Sequence, residues 1–107
     1  MEETEFNQHV DATLAAIEDA LEDCDTDLDW DLVGGILTIE CDNGSQVIVN
    51  RQAPTRQIWV AARSGGYQFG FDPDRNTWQQ NGLELFALLE RVLSEQSGET
   101  VQLAPAR

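Results

Sequence analysis

Asp27-Leu28-Asp29-Trp30-Asp31-Leu32-Val33-Gly34-Gly35-Ile36-Leu37-Thr38-Ile39-Glu40-Cys41 is the stretch whose reading decides the fold. Acids at 27, 29 and 31 alternate with Leu28, Trp30 and Leu32. This two-residue repeat predicts a strand with one apolar face and one carboxylate-lined face. Gly34-Gly35 then predicts a tight turn into a second strand, Ile36–Cys41.

Upstream the period is helical. Phe6, Val10, Thr13, Leu14, Ile17 and Leu21 recur at spacings of three and four, predicting an amphipathic helix over residues about 4–23. On the same helix Asp11, Glu18 and Glu22 share a second line, with Asp19 and Asp23 beside it on the solvent side. Like charges at i,i+4 (Glu18/Glu22, Asp19/Asp23) repel, and the helix dipole disfavours anions at this end. Solubility does not require acids at so unfavourable a place, and such local conflicts concentrate at functional sites. Asp25 lies in the connection, so helix end and first strand are expected to form one acidic edge.

Downstream, Asp42-Asn43-Gly44-Ser45 predicts a turn before a strand at Gln46–Asn50. Pro54 interrupts before a strand around Gln57–Ala62, Gly65-Gly66 reads as a turn into Tyr67–Phe71, and Asp72-Pro73-Asp74 precedes a short strand at Thr77–Gln79. Such short connections imply an antiparallel meander. Asn81-Gly82 precedes a second helix, Leu83 to about Ser97, with Gly98 placed to end it. Val101 and Leu103 alternate in a tail expected to pack as an extended segment. The expected fold is a single α+β domain over residues 1–107. It is a two-layer sandwich in which N- and C-terminal helices back one face of a five- to six-stranded antiparallel sheet.

A chain of 107 residues suffices for one core. Twenty acids face six bases, for a net charge of −14, and residues 2–31 hold twelve of those acids and no arginine or lysine. So one-sided a field repels nucleic acid and anionic membrane and attracts cations or a basic protein surface. No apolar run is long enough for a membrane helix, and the acidic start is unlike a targeting peptide, so a cytoplasmic location is expected. Cys24 and Cys41 lack metal-ligand spacing and read as reduced thiols.

Catalysis finds little support. His9 is the only histidine, far along the helix from Cys24, and no glycine-rich phosphate loop is present. His9 reads as a surface residue. Asp25-x-Asp27-x-Asp29 resembles the opening of an EF-hand loop, but the positions that need glycine and glutamate hold Trp30 and Ile36; counted from Asp23 they hold Leu28 and Gly34. Both frames fail. What remains is an open surface of hard oxygen donors, suited to Mg²⁺, Ca²⁺, Mn²⁺ or iron with waters retained, and equally to an arginine- or lysine-rich partner. In Gln57-Ile58-Trp59-Val60-Ala61, Trp59 is out of phase with Ile58 and Val60. It is expected on the solvated sheet face beside Asn50, Arg51 and Gln52, as an interaction anchor.

Together, the acidic first helix, Ile36-Leu37-Thr38-Ile39, Asp42-Asn43-Gly44-Ser45, Val47-Ile48-Val49-Asn50-Arg51-Gln52, Ile58-Trp59-Val60-Ala61, Gly65-Gly66-Tyr67-Gln68-Phe69 and Ser97-Gly98-Glu99-Thr100-Val101 resemble the bacterial frataxin family. The resemblance runs in order along essentially the whole chain. It implies the frataxin fold and a non-enzymatic part in iron–sulfur cluster assembly. It also implies weak binding of ferrous and ferric iron on a ridge of Glu18, Asp19, Glu22, Asp23, Asp25, Asp27, Asp29 and Asp31. The partner it implies is the cysteine desulfurase, docked through Glu18, Asp19, Glu22 and Asp23, with the cluster scaffold protein as a further partner. Asn50, Gln52 and Trp59 match positions that the family uses for partner contacts. The implied state is a monomer with iron-dependent oligomers, acting as an iron-dependent brake. The competing readings are a metal-independent acidic interaction module or nucleic-acid mimic, and a ferroxidase or iron store.

Overall fold

The computed structural model describes residues 1–103. Helix α1 (Glu3–Glu22) leads into a sheet of β1 (Leu28–Val33), β2 (Ile36–Cys41), β3 (Gln46–Gln52), β4 (Gln57–Ala62), β5 (Gly65–Asp72), β6 (Thr77–Gln80) and β7 (Leu83–Glu84), and α2 (Leu85–Ser97) follows. The strands lie in chain order, each antiparallel to the next, which leaves β1 and β7 as the two edges. A one-turn 3₁₀ segment, Ala53–Thr55, holds Pro54 between β3 and β4.

Turn chemistry explains the meander. Gly34 and Gly35, at φ +62° and +78°, make the two-residue hairpin between Val33 and Ile36. Positive φ at both central residues matches the right-handed strand twist, and glycine takes it without strain. At the β2–β3 turn the Asn43 Oδ1 accepts from the Ser45 backbone N–H (3.0 Å) and hydroxyl (2.8 Å).

Two local expectations are corrected. Asn81 and Gly82 also adopt positive φ (+50° and +86°) and join Gln80 to Leu83 as a hairpin. Leu83 and Glu84 are therefore a seventh strand, and α2 begins at Leu85, where the Glu84 side chain accepts from the Phe86 N–H at 2.9 Å. The β4–β5 turn falls on Arg63-Ser64, because Ala62 pairs with Gly65 and both glycines already belong to β5.

Both helices cover one sheet face. Phe6, Val10, Leu14, Ile17, Ala20 and Leu21 of α1 and Leu85, Leu88, Leu89, Val92 and Leu93 of α2 are buried against Leu37, Ile39, Cys41, Val47, Val49, Ile58, Val60, Phe69 and Trp78. This continuous apolar layer is the main source of stability, at about 1.5–3 kcal/mol for each large side chain fully buried. Val101 and Leu103 complete it, the tail being pinned by Ser94 Oγ accepting from the Val101 N–H and a Glu90 carboxylate oxygen accepting from the Leu103 N–H. No helix among the described residues covers the opposite face of the sheet.

Candidate metal-binding ridge and sheet face

The acids of α1 are placed by its apolar stripe. With Ile17, Ala20 and Leu21 turned inward, Asp19, Glu22 and Asp23 are exposed and Glu18 is half-buried. The last turn carries no base, so the helix's own residues leave its end anionic. Asp25 and Asp27 are exposed in the connection to β1.

In β1, Leu28 and Trp30 pair with Cys41 and Ile39 on the helix-facing side. Asp29 and Asp31 therefore project from the opposite, open face, at the sheet's edge. The ridge thus turns a corner, from the helix layer onto the outer face of the edge strand. The apolar face of β1 is progressively less covered along its length: Leu28 is buried, Trp30 half-buried and Leu32 39% exposed. Register adds an acid that the periodicity did not assign to the ridge. Glu40 lies directly across from Asp29. Fixing the Gly34-Gly35 loop at two residues and counting back along β2 is the signal that locates it.

None of the eight ridge acids makes an ion pair among the described residues. Nor do any three carboxylate, imidazole or thiol groups among those residues converge as a preformed metal cage. A cation on this surface would hold water as well as carboxylate, as hard oxygen donors on an open surface allow. Cys24, half-buried, and Cys41, buried, are both free thiols. His9 is half-buried rather than on the open surface: its ring stacks on Phe71 at 4.2 Å between centroids, and its Nε2 lies 3.7 Å from Glu5.

The second surface is the open face of the sheet. Ile58 and Val60 are fully buried, so alternation turns Trp59 outward, where its indole N–H donates to Gln57 Oε1 at 2.8 Å. Trp59 pairs with Asn50 and with Gln68, and Gln52 pairs with Gln57. Asn50, Gln52 and Trp59 therefore share this face. Asn50 and Trp59 line a shallow depression of about 300 Å³ with Ile48, Ala61, Gly66 and Gln68. Arg51 does not join them. It faces the helices, donating to Asn7 Oδ1 of α1 at 2.8 Å and pairing with Asp11 at 2.5 Å.

Two edges, two terminal helices and this seven-stranded meander are shared with a known family. Residues 1–99 match the model of the frataxin-like domain. The chain belongs to the frataxin-like family. This frataxin-like chain is 48% identical over 104 residues to an iron-sulfur cluster assembly protein CyaY of Pseudomonas aeruginosa, covering 95% of this chain and 96% of the relative. It is 42% identical over 105 residues to the protein of that name from Paraburkholderia phymatum, covering 98% and 100%. The solved structure of a frataxin from Psychromonas ingrahamii superposes with a TM-score of 0.87 at 32% identity, covering 97% of this chain and 99% of that one. The fold expected from the residues is thus the frataxin fold. No helix among the described residues is long and apolar enough to cross a membrane.

Proposed function

We propose that this frataxin-like chain is a non-enzymatic iron-binding protein of cytoplasmic iron–sulfur cluster assembly. It takes iron weakly on the ridge from Glu18 to Asp31 and docks on the cysteine desulfurase to regulate cluster formation. One observation carries the reading: eight carboxylates, none of them ion-paired among the described residues, follow one another from the end of α1 onto the edge strand. That the Pseudomonas and Paraburkholderia relatives are iron-sulfur cluster assembly proteins supports the process.

Iron here is cargo. Carboxylates spaced along a surface attract Fe²⁺ or Fe³⁺ without enclosing it, which favours easy release. The same charges steer the ridge onto a basic protein surface, and bound iron reduces them, so iron level and docking are linked reciprocally. Trp59, with Asn50 and Gln52, offers the scaffold protein or the desulfurase an aromatic anchor in a polar setting. The chain works as a monomer, with oligomers forming only as iron bridges ridges.

Capture of the desulfurase by a chain carrying Glu18→Gln, Asp19→Asn, Glu22→Gln and Asp23→Asn tests the docking. The expected result is loss of capture, and undiminished capture contradicts it. The lack of a preformed cage among the described residues also suits a metal-independent acidic adaptor. That alternative predicts docking unchanged by chelator and by added Fe²⁺.

A further inference from the structure

Apart from His9, Arg51 is the one base among the described residues that ion-pairs with an acid of α1. It leaves β3 on the helix-facing side and forks between Asn7 Oδ1 (2.8 Å) and Asp11 Oδ1 (2.5 Å), one helical turn apart. Its side chain is 24% exposed, whereas that of Asp11 is 67% exposed. Behind it the β1–β2 hairpin closes in: a Cβ on Gly35 would stand 3.1 Å from Arg51 Nε. The guanidinium therefore occupies the wall of a depression of about 310 Å³ that Asp11 and Glu18 also line, together with Leu32 and Gly35.

We propose that Arg51 is a specificity-determining residue for cation loading: its guanidinium occupies Asp11 and so sets the upper end of the ridge at Glu18. This rests on the cation-binding reading of the ridge. Asp11 and Glu18 lie on one line of α1 and border one depression, so Asp11 would otherwise extend the ridge by two turns. A planar fork held by two acceptors and backed by the hairpin is preorganised, and its positive charge offsets that of Asp11, so a hydrated divalent ion is attracted there less than at Glu18. Glu18 has no such partner among the described residues and remains open to a cation.

The test is a titration of the full chain with Mg²⁺, read at the side-chain carboxyl carbons of Asp11 and Glu18 by NMR. In the native chain Glu18 responds and Asp11 stays still. In Arg51→Met, Asp11 joins, with a response within about twofold of that of Glu18. Arg51→Gln, which can keep a hydrogen bond to Asn7, carries the same expectation should the methionine variant fail to fold. An Asp11 carboxyl that responds in the native chain, or stays silent in the folded neutral variant, overturns the proposal. A silent native ridge alongside a responsive Asp11 in the variant contradicts instead the reading of the ridge, and leaves the role of Arg51 standing.

Discussion

Asp29 of β1 lies directly opposite Glu40 of β2, on the open face of the sheet, and neither strand contains a base to separate the two carboxylates. Side chains directly opposite in an antiparallel pair have Cβ atoms roughly 4.5–5.5 Å apart, and like charges at that spacing are destabilising. Glu40→Gln is therefore expected to raise stability in metal-free, low-salt buffer by roughly 0.2–1 kcal/mol. The gain should shrink as salt shortens the screening length. Urea unfolding at two ionic strengths checks it, and a loss of stability at low salt counts against the register.

Gln96 is a polar residue in the core, 5% exposed. Its Oε1 accepts from the Arg63 N–H at 2.8 Å, and its Nε2 donates to Ser45 Oγ and to the Gln46 carbonyl at 3.1 and 3.2 Å. One side chain thereby ties the end of α2 to two hairpin turns. Gln96→Leu removes these three hydrogen bonds and is expected to cost about 1–3 kcal/mol, with an unchanged urea m-value.

Gly35 serves both its hairpin and Arg51. Gly35→Ala puts a side chain at φ +78° and against the Arg51 guanidinium, and is expected to cost about 1–2 kcal/mol. Combining it with Arg51→Ala should recover the steric part but not the backbone part, so the double-mutant cycle should show positive coupling. Purely additive losses contradict the close approach.

Trp59 stands on the outer face of the sheet, where Gln57 is its hydrogen-bond partner among the described residues. Trp59→Ala is expected to change stability by less than about 1 kcal/mol. It should weaken binding to the desulfurase or scaffold protein by tenfold or more, about 1.4 kcal/mol or above, as loss of an aromatic anchor does. Calorimetric titration against each partner separates the two.

Much of this was legible in the residues. The alternation at Leu28–Leu32 against the three-and-four spacing before it located both α1 and β1, and the phase of Ile58 and Val60 put Trp59 outside. What escaped depends on partners rather than on local pattern. β7 is two residues long, too short to show a period, and exists only because Asn81-Gly82 folds Leu83 and Glu84 back onto Gln80 and Gln79. Gly65 and Gly66 read as a turn because glycine is a turn former, but pairing with Ala61 and Ala62 holds both in β5. The orientation of Arg51 follows from strand alternation, since Val49 is buried and Arg51 shares its side. Its sequence neighbours Asn50 and Gln52 nevertheless suggest one common surface. Asp29 and Glu40 are brought together by register, and His9 by its stacking on Phe71.

The central claim is that the ridge is where iron is held. An anaerobic Fe²⁺ titration of the uniformly ¹⁵N-labelled chain tests it most directly. Amide signals of residues 18–31 should shift or broaden first and reverse with chelator, while those around Trp59 stay unchanged until iron is in large excess. Broadening that begins elsewhere, or a ridge that stays silent through the titration, contradicts the account.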